Sequence, residues 1–290
     1  MFDKLREALK GKAAAAPAKD VQPQPVKERS QIEAPLAIPF TDSTIDMGGE
    51  RIRQPDILKG DVDHAGHLRI LARNDEEAGK LCIDALAASR DRKTVHYGTD
   101  DIAGYLSGKG ELEILTLTKN GDTFAAYPLF PVGRPTPARI TQITECNNTY
   151  EGQLEVWLND GTVTFFDSLY FRNRNSYYPG KDVRVLISGI AYVLSKVRTQ
   201  SQATKAAADE VLVRYENGDV DDYVFRGVVE GIKDTTVFGK KAVILKTTAR
   251  AGPDSAPFEL YLCATSSAIS EKISPGDYVS GIIWLQGFVV

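Results

Sequence analysis

Two stretches of the chain share one pattern of apolar and polar positions. PGKDVRVLISGIAYV (179–193) and PGDYVSGIIWLQGFV (275–289) begin with the same Pro-Gly pair and continue as an alternating strand. Pro presets φ for a turn and Gly adopts positive φ, so each pair predicts a tight turn before a strand. Laid over one another without a gap, the copies match Ile187 with Ile283, and the same positions occupy one face. The pattern predicts an internal repeat.

An upstream match supports the repeat. EILTLTKNGD, from Glu113, lies over EVLVRYENGD, from Glu210, in register. We therefore predict two copies of one β module, at residues 111–200 and 201–290. Alternating runs predict antiparallel strands in each copy. They lie near 111–118, 123–130, 138–146, 152–158, 162–171 and 182–195, and near 210–215, 222–231, 240–248, 256–263 and 278–289.

Short antiparallel strands must hide their edges, so each module is predicted to form a small five- or six-stranded barrel or sandwich. Asn-Gly or Asp-Gly pairs at 120–121, 160–161 and 217–218 favour type I′ hairpins between the runs. In strand number and size the modules resemble OB-type barrels. That resemblance covers residues 111–290 at most, and it implies binding of an oligonucleotide, an oligosaccharide or a protein.

The N-terminal part has a different pattern. Residues 1–34 predict a short amphipathic helix followed by an extended linker, with the helix available to dock a partner. Residues 35–110 predict a small α+β domain, with a strand at 67–73 and a helix from Asn74 to about Arg90, because Asn74 precedes three acidic residues. A return strand is expected at 94–98, and a second short helix from Asp100.

Composition narrows the function classes. No apolar run is long enough to span a bilayer and the N-terminus lacks a signal-peptide core, so the expected location is cytoplasmic. The net charge is −4, from 35 basic and 39 acidic side chains, which does not favour phosphate backbones as a general partner. Residues 135–200 hold seven Lys/Arg and six Asp/Glu, against nine and twelve in 205–290. An anionic ligand is therefore expected at the first module.

The aromatic segment FFDSLYFRNRNSYYPGK (165–181) is the leading ligand-binding hypothesis. It places rings beside cations, as single-strand binders do, although strand alternation predicts that several of the rings belong to the core. The aligned segment of the second module lacks both the arginines and the aromatic cluster. The residues expected to be exposed, and therefore to bind, are Arg172, Arg174, Tyr177, Tyr178 and Lys181.

The C-terminal strand is an interface hypothesis. It is apolar on both faces, so it should be covered on both sides, either by the first module or by another chain. Trp284 and Phe288 are the anchors expected at that contact.

Two acidic segments suggest metal ligands but have ordinary explanations. GDVDHAGH places Asp61, Asp63, His64 and His67 together, and ENGDVDD (216–222) is rich in carboxylates. Asp and Gly are equally typical of surface turns, and neither segment has the spacing of a known metal loop. We therefore expect no metal and no cofactor.

The sequence thus predicts a mainly β protein with an α+β N-terminal part and two repeated barrel-like modules. No nucleophile motif or phosphate loop is present, so the protein is not expected to be an enzyme. Its expected function is non-catalytic binding or assembly with a protein partner, including self-association. The alternatives are binding of single-stranded nucleic acid by the first module and a metal-dependent enzyme that uses the 61–67 cluster.

Overall fold

The structure of the chain is a computed structural model that describes residues 43–46, 57–60, 64–89, 91–97, 100–108, 110–197 and 212–290. It is mainly β, as predicted. The predicted N-terminal helix and its linker lie outside the described residues. The helices are α1 (His64–Leu68), α2 (Asp75–Ala87) and α3 (Tyr170–Asn173).

The strands form two sheets. They are β1 (Ser43–Asp46), β2 (Ile57–Gly60), β3 (Asp91–Tyr97), β4 (Asp100–Ser107), β5 (Glu113–Lys119), β6 (Asp122–Leu129), β7 (Thr136–Cys146), β8 (Gly152–Leu158), β9 (Gly161–Asp167), β10 (Asp182–Lys196), β11 (Val213–Arg214), β12 (Asp222–Val237), β13 (Lys240–Ala249), β14 (Phe258–Thr265) and β15 (Tyr278–Val289).

The smaller sheet has the order β1-β3-β4-β5-β6, and α2 packs against its strands β4 and β5. The cap predicted for α2 is confirmed, because the Asn74 side chain accepts a hydrogen bond from the Glu77 backbone N–H at 2.8 Å. Glu77 in turn accepts from the backbone N–H of Arg73 at 2.8 Å. The helix therefore starts where the capping residues place it.

Two N-terminal predictions are wrong. The run 67–73 was expected to be a strand, but it contains the end of α1 and a turn, because a short apolar run fits either period. The helix expected from Asp100 is the strand β4, whose buried Ile102 and Leu106 lie between the β3 and β5 ladders. Pairing on both sides outweighs the local helix-start signal of adjacent aspartates.

The larger sheet has the order β11-β12-β13-β14-β10-β15-β9-β8-β7-β2, with two further pairings, β12 with β15 and β10 with β7. Strands β10 and β15 have three partners each, as do β7 and β12. Strands β10 and β15 run antiparallel to one another from Val185–Val289 to Lys196–Val279. In addition, β10 pairs in parallel with β14, and β15 pairs in parallel with β9.

The predicted pair of repeated barrels is not confirmed, because strands of both expected modules, β7–β10 and β12–β15, belong to one ten-stranded sheet. The hairpin of β5 and β6, expected in the first module, instead pairs with β4 in the smaller sheet. The two Asn-Gly segments therefore lie in different sheets, since Asn217 precedes β12 of the larger one. A hairpin signal in the sequence predicts a turn, but it does not determine which sheet the hairpin joins.

Turn chemistry is predicted more accurately than sheet membership. Gly180 and Gly276, in the two Pro-Gly pairs, have φ values of 90° and 89°. Each pair occupies a turn closed by a backbone hydrogen bond, of 3.2 Å in the first and 3.0 Å in the second. At 159–161 the positive φ values fall on Asn159 and Asp160, one residue earlier than expected.

Two large apolar clusters form most of the core of the described chain, and a third, small one contains Leu68, Ala72 and Ala78. One of the two large clusters lies between the sheets and includes Ile114, Tyr127, Trp284 and Phe288. The other is on the opposite side of the large sheet and includes Ile283 and residues of β8, β9 and β14. Alternating residues of β15 therefore enter different clusters, and the prediction that this strand is covered on both sides is confirmed. Within the described chain, both covers come from the protein itself.

Buried polar groups join the two sheets. The Gln286 side chain accepts a hydrogen bond from the Phe130 backbone N–H at 3.0 Å and donates one to the Pro128 carbonyl at 3.2 Å. The Ser188 hydroxyl donates to the Phe130 carbonyl at 2.6 Å. The chain leaving β6 is thus held on both central strands, and these side chains satisfy backbone groups that would be costly to bury unpaired.

We predict opposite effects for two Gly→Ala substitutions. An added Cβ at Gly287 would lie 2.3 Å from the Leu186 carbonyl oxygen, whereas one at Gly79 in α2 meets nothing within 4 Å. Gly287→Ala should lower the free energy of unfolding by roughly 1–3 kcal/mol through overpacking. Gly79→Ala should raise it by roughly 1 kcal/mol through helix propensity. Urea unfolding measures both, and equal effects would contradict the close approach of β10 and β15.

Candidate functional site

The two acidic segments noted in the sequence converge in space. His67, at the end of α1, lies beside Asp219 and Asp221 in the turn before β12. Each residue offers one ligand atom, and the three atoms lie within 4.8 Å of one another. His67 and Asp221 are buried, and Asp219 is partly exposed. We call these three residues the His-Asp cluster.

The backbone of the turn fixes the two aspartates. The Asp222 N–H donates to the Asp219 carbonyl at 3.0 Å, and the Asp219 N–H donates to the Asp222 carboxylate at 3.0 Å. The Asp221 carbonyl accepts from the Leu285 N–H of β15 at 2.9 Å. The turn is therefore anchored to the central strand, and the side chain of Asp221 is directed into the protein.

Aromatic residues surround the cluster. Trp284 Nε1 donates to Asp221 Oδ2 at 3.2 Å, and the His67 ring stacks on the Trp284 ring with centroids 3.9 Å apart and planes 12° apart. The Tyr192 hydroxyl donates to Asp222 Oδ1 at 3.1 Å. These contacts fix the orientation of the His67 ring and of the carboxylates of Asp221 and Asp222.

Burial and neighbouring negative charge favour the protonated forms of Asp221 and Tyr192. Burial, followed by the charge of Asp222, raises the pKa of Asp221 to about 7. The pKa of Tyr192 also lies well above its ordinary value, mainly because of burial and then because of Asp222 and Asp221. A buried site rich in carboxylate oxygens and holding an imidazole can bind a cation.

Sequence reasoning missed this cluster because it treated the two segments separately. His67 and Asp219 are 152 positions apart, and no local spacing signals their contact. In the first segment, Asp61 and Asp63 lie outside the described residues. The side chain of His64 is not described either.

The predicted ligand-binding segment is largely part of the core. Tyr177 is fully buried, and Arg174 is only 7% exposed, with its guanidinium 4.6 Å from the Tyr150 ring centroid. The expectation that these two residues are exposed is wrong, because the chain turns inward through α3 instead of forming a solvated loop. Tyr178 is 52% exposed and lies beside Lys181, whose Nζ is 5.8 Å from its ring centroid. Arg172 is partly exposed.

The predicted interface anchors are also internal. Trp284 and Phe288 are 0% and 1% exposed, and both contribute to the cluster between the sheets. They are therefore unavailable as surface anchors, and the hypothesis that they contact another chain is corrected. Trp157, in β8 of the large sheet, is an aromatic residue that is exposed, at 47%.

A surface pocket of about 660 Å³ lies beside the hairpin of β12 and β13 and the segment that follows β14. Its apolar lining consists of Ile232, Ala242, Val243, Ile269, Ile273 and Pro275. Four charged residues also line it: Asp234, Lys241, Glu271 and Lys272. The volume is in the range of small-ligand sites.

The chain matches no protein-family model and no curated protein. Within the described residues, no helix combines the length and apolar character needed to cross a membrane.

A buried carboxyl at the end of β9 predicts a pH effect on stability. Burial raises the pKa of Asp167 to about 7, from an ordinary value of 3.8. The folded protein therefore keeps this proton to higher pH than the unfolded chain does, and the free energy of unfolding should fall as pH rises from about 4 to 7. Asp167→Asn should reduce that fall, because the amide has no proton to release.

Thermal unfolding across that pH range measures the effect, with Asp160→Asn on an exposed turn as the control. Asp221 should leave a residual pH dependence in the Asp167→Asn protein. An unchanged slope in Asp167→Asn would contradict the assigned environment of Asp167.

Proposed function

We propose that the protein is a non-catalytic binding protein whose pocket beside β12 and β13 takes an apolar segment of a polypeptide partner. The observation that carries the proposal is the 660 Å³ pocket itself, whose lining combines branched apolar side chains with four charged ones. Such a lining suits an amphipathic segment that buries one or two side chains and leaves its backbone near the rim.

We propose that strands β7–β10 and strands β12–β15 are two halves related by an internal repeat, and this proposed repeat supports the position of the pocket. In each proposed half, a Pro-Gly turn leads into the fourth strand, β10 or β15, and that strand pairs antiparallel with the first strand, β7 or β12. The segments 168–181 and 266–277, which connect the third and fourth strands, are equivalent in this scheme. The pocket is lined by the second of these segments.

The first half has an aromatic side chain at the corresponding place. When the two proposed halves are aligned with Phe165 on Leu262, their cross-strand partners Leu154 and Leu245 are matched. Gly152 and Val243 precede these two leucines by two residues. Ring atoms of Tyr170 lie 2.9 Å and 3.0 Å from where a Cβ of Gly152 would be. Val243 instead lines the open pocket. In the first half, Tyr170 thus occupies the space beside Gly152. We propose that a side chain of the partner occupies the corresponding space beside Val243 in the second half.

The charges favour a polypeptide over a nucleic acid. The pocket is lined by two acidic and two basic side chains, which give no net charge to attract phosphates. In the aromatic segment 165–181, which the nucleic-acid alternative would use, Tyr177 and Arg174 are buried in the core. The binding and assembly function is therefore favoured over the single-strand alternative.

We predict that filling the pocket weakens peptide binding. Peptides selected by phage display on the immobilised full chain should carry large apolar residues and bind in fluorescence anisotropy. Val243→Trp should weaken their binding at least tenfold, or about 1.4 kcal/mol, because the indole occupies the pocket. Thr162→Trp, which adds the same side chain at an exposed position of β9, is the matched control.

Equal binding to the Val243→Trp and Thr162→Trp proteins, both shown to be folded by their melting temperatures, would overturn the proposed function. So would a selection that enriches no peptide.

The nucleic-acid alternative has its own test. Anisotropy of a labelled single-stranded oligonucleotide at two salt concentrations should show no salt-sensitive binding, since phosphate binding weakens steeply with salt. Salt-sensitive binding that is lost in Arg172→Ala plus Tyr178→Ala would favour the alternative. Arg174 is unsuitable for this test, because its buried guanidinium contacts Tyr150 and its loss would also affect folding.

A further inference from the structure

We infer that the His-Asp cluster is a site for a divalent first-row transition ion such as Zn²⁺, with His67, Asp219 and Asp221 as its protein ligands. The residues come from two chain segments that are far apart in sequence and are held together by β15. The site is separate from the pocket of the proposed function, and neither proposal depends on the other.

The state of the Asp221 carboxylate is the observation that points to a ligand. Its Oδ2 accepts a hydrogen bond from Trp284, while Oδ1 is buried and, among the described residues, has no hydrogen-bond partner. A buried carboxylate oxygen without a donor is costly, and a bound cation would remove that cost. Because ligand atoms of His67 and Asp219 lie within 4.8 Å of one from Asp221, all three can bind one ion after a small contraction of the cluster.

The ligand types favour a transition ion over Ca²⁺ or Mg²⁺. Imidazole is a good ligand for zinc and related ions, whereas Ca²⁺ and Mg²⁺ bind oxygen ligands. Two carboxylates balance the double positive charge. Three protein ligands leave at least one position for water, as in open zinc sites.

The geometry requires a small closure. With metal–ligand bonds of about 2.0–2.2 Å, ligand atoms on one ion lie roughly 3–4 Å apart. A cluster spread over 4.8 Å must therefore contract by roughly 1 Å. Asp219 is the ligand expected to move, because it is the partly exposed member and lies in a surface turn.

The surroundings already position the other two ligands. Trp284 holds Asp221 by its hydrogen bond and holds the His67 ring by stacking. Such outer contacts orient metal ligands and support their affinity. An ion here would fasten α1 to the turn before β12 and so join the N-terminal part to the large sheet.

Trp284 also provides a direct reporter. The chain has two tryptophans, so Trp157→Phe leaves Trp284 alone, stacked on a proposed ligand. In that background we would titrate the full chain with Co²⁺, which quenches nearby fluorescence, and then compete with Zn²⁺ and with Ca²⁺. Calorimetry with Zn²⁺ gives the stoichiometry.

We expect one Zn²⁺ per chain, quenching of Trp284 by Co²⁺, reversal by Zn²⁺ and no reversal by Ca²⁺. Asp219→Asn should weaken the affinity at least tenfold, and Glu216→Gln, an exposed carboxylate in the same turn, is the matched control. Asp221→Asn is the second ligand variant, because an amide can still accept the hydrogen bond from Trp284.

Absence of stoichiometric binding would overturn the inference and leave the cluster as a buried histidine–carboxylate contact. Equal affinity in Asp219→Asn and Glu216→Gln, or equal competition by Ca²⁺ and Zn²⁺, would overturn it as well. Metal-free melting temperatures establish that each variant is folded before its affinity is compared.

Discussion

The pairing of β10 with β15 is the interaction on which the rest of the structure depends. These strands carry apolar side chains on both faces, and one face packs on the smaller sheet while the other enters the opposite cluster. Gly281 and Gly287 permit the backbones to approach, since an added Cβ would lie 2.0 Å and 2.3 Å from carbonyl oxygens of β10. Every other strand of the large sheet reaches this pair directly or through a neighbour.

Both proposed sites follow from that central pair. β15 supplies Leu285 and Trp284, which anchor the acidic turn and align the His-Asp cluster. The segment that leads into the same strand lines the pocket, and its Pro275 begins the turn before β15. A single strand thus positions a buried polar site at one place and an apolar surface pocket at another, and the two sites remain chemically independent.

Local chemistry was predictable from the sequence, and long-range placement was not. The helix after Asn74 and the positive φ values of Gly180 and Gly276 follow from the residues at those positions. The sheet that receives the β5–β6 hairpin and the contact of His67 with Asp219 depend on partners far along the chain, which no local pattern specifies. Aromatic composition was also ambiguous, because it predicts stacking faces and core equally well.

Hydrogen exchange tests the central claim most directly. If β10 and β15 form the shared centre, the amides of residues 182–196 and 278–289 should be the slowest to exchange, and they should exchange together at the free energy of global unfolding. Exchange of the hairpin of β5 and β6 should be no slower, because it lies outside the pair. Rapid exchange of either central strand, or exchange of one without the other, would contradict the account.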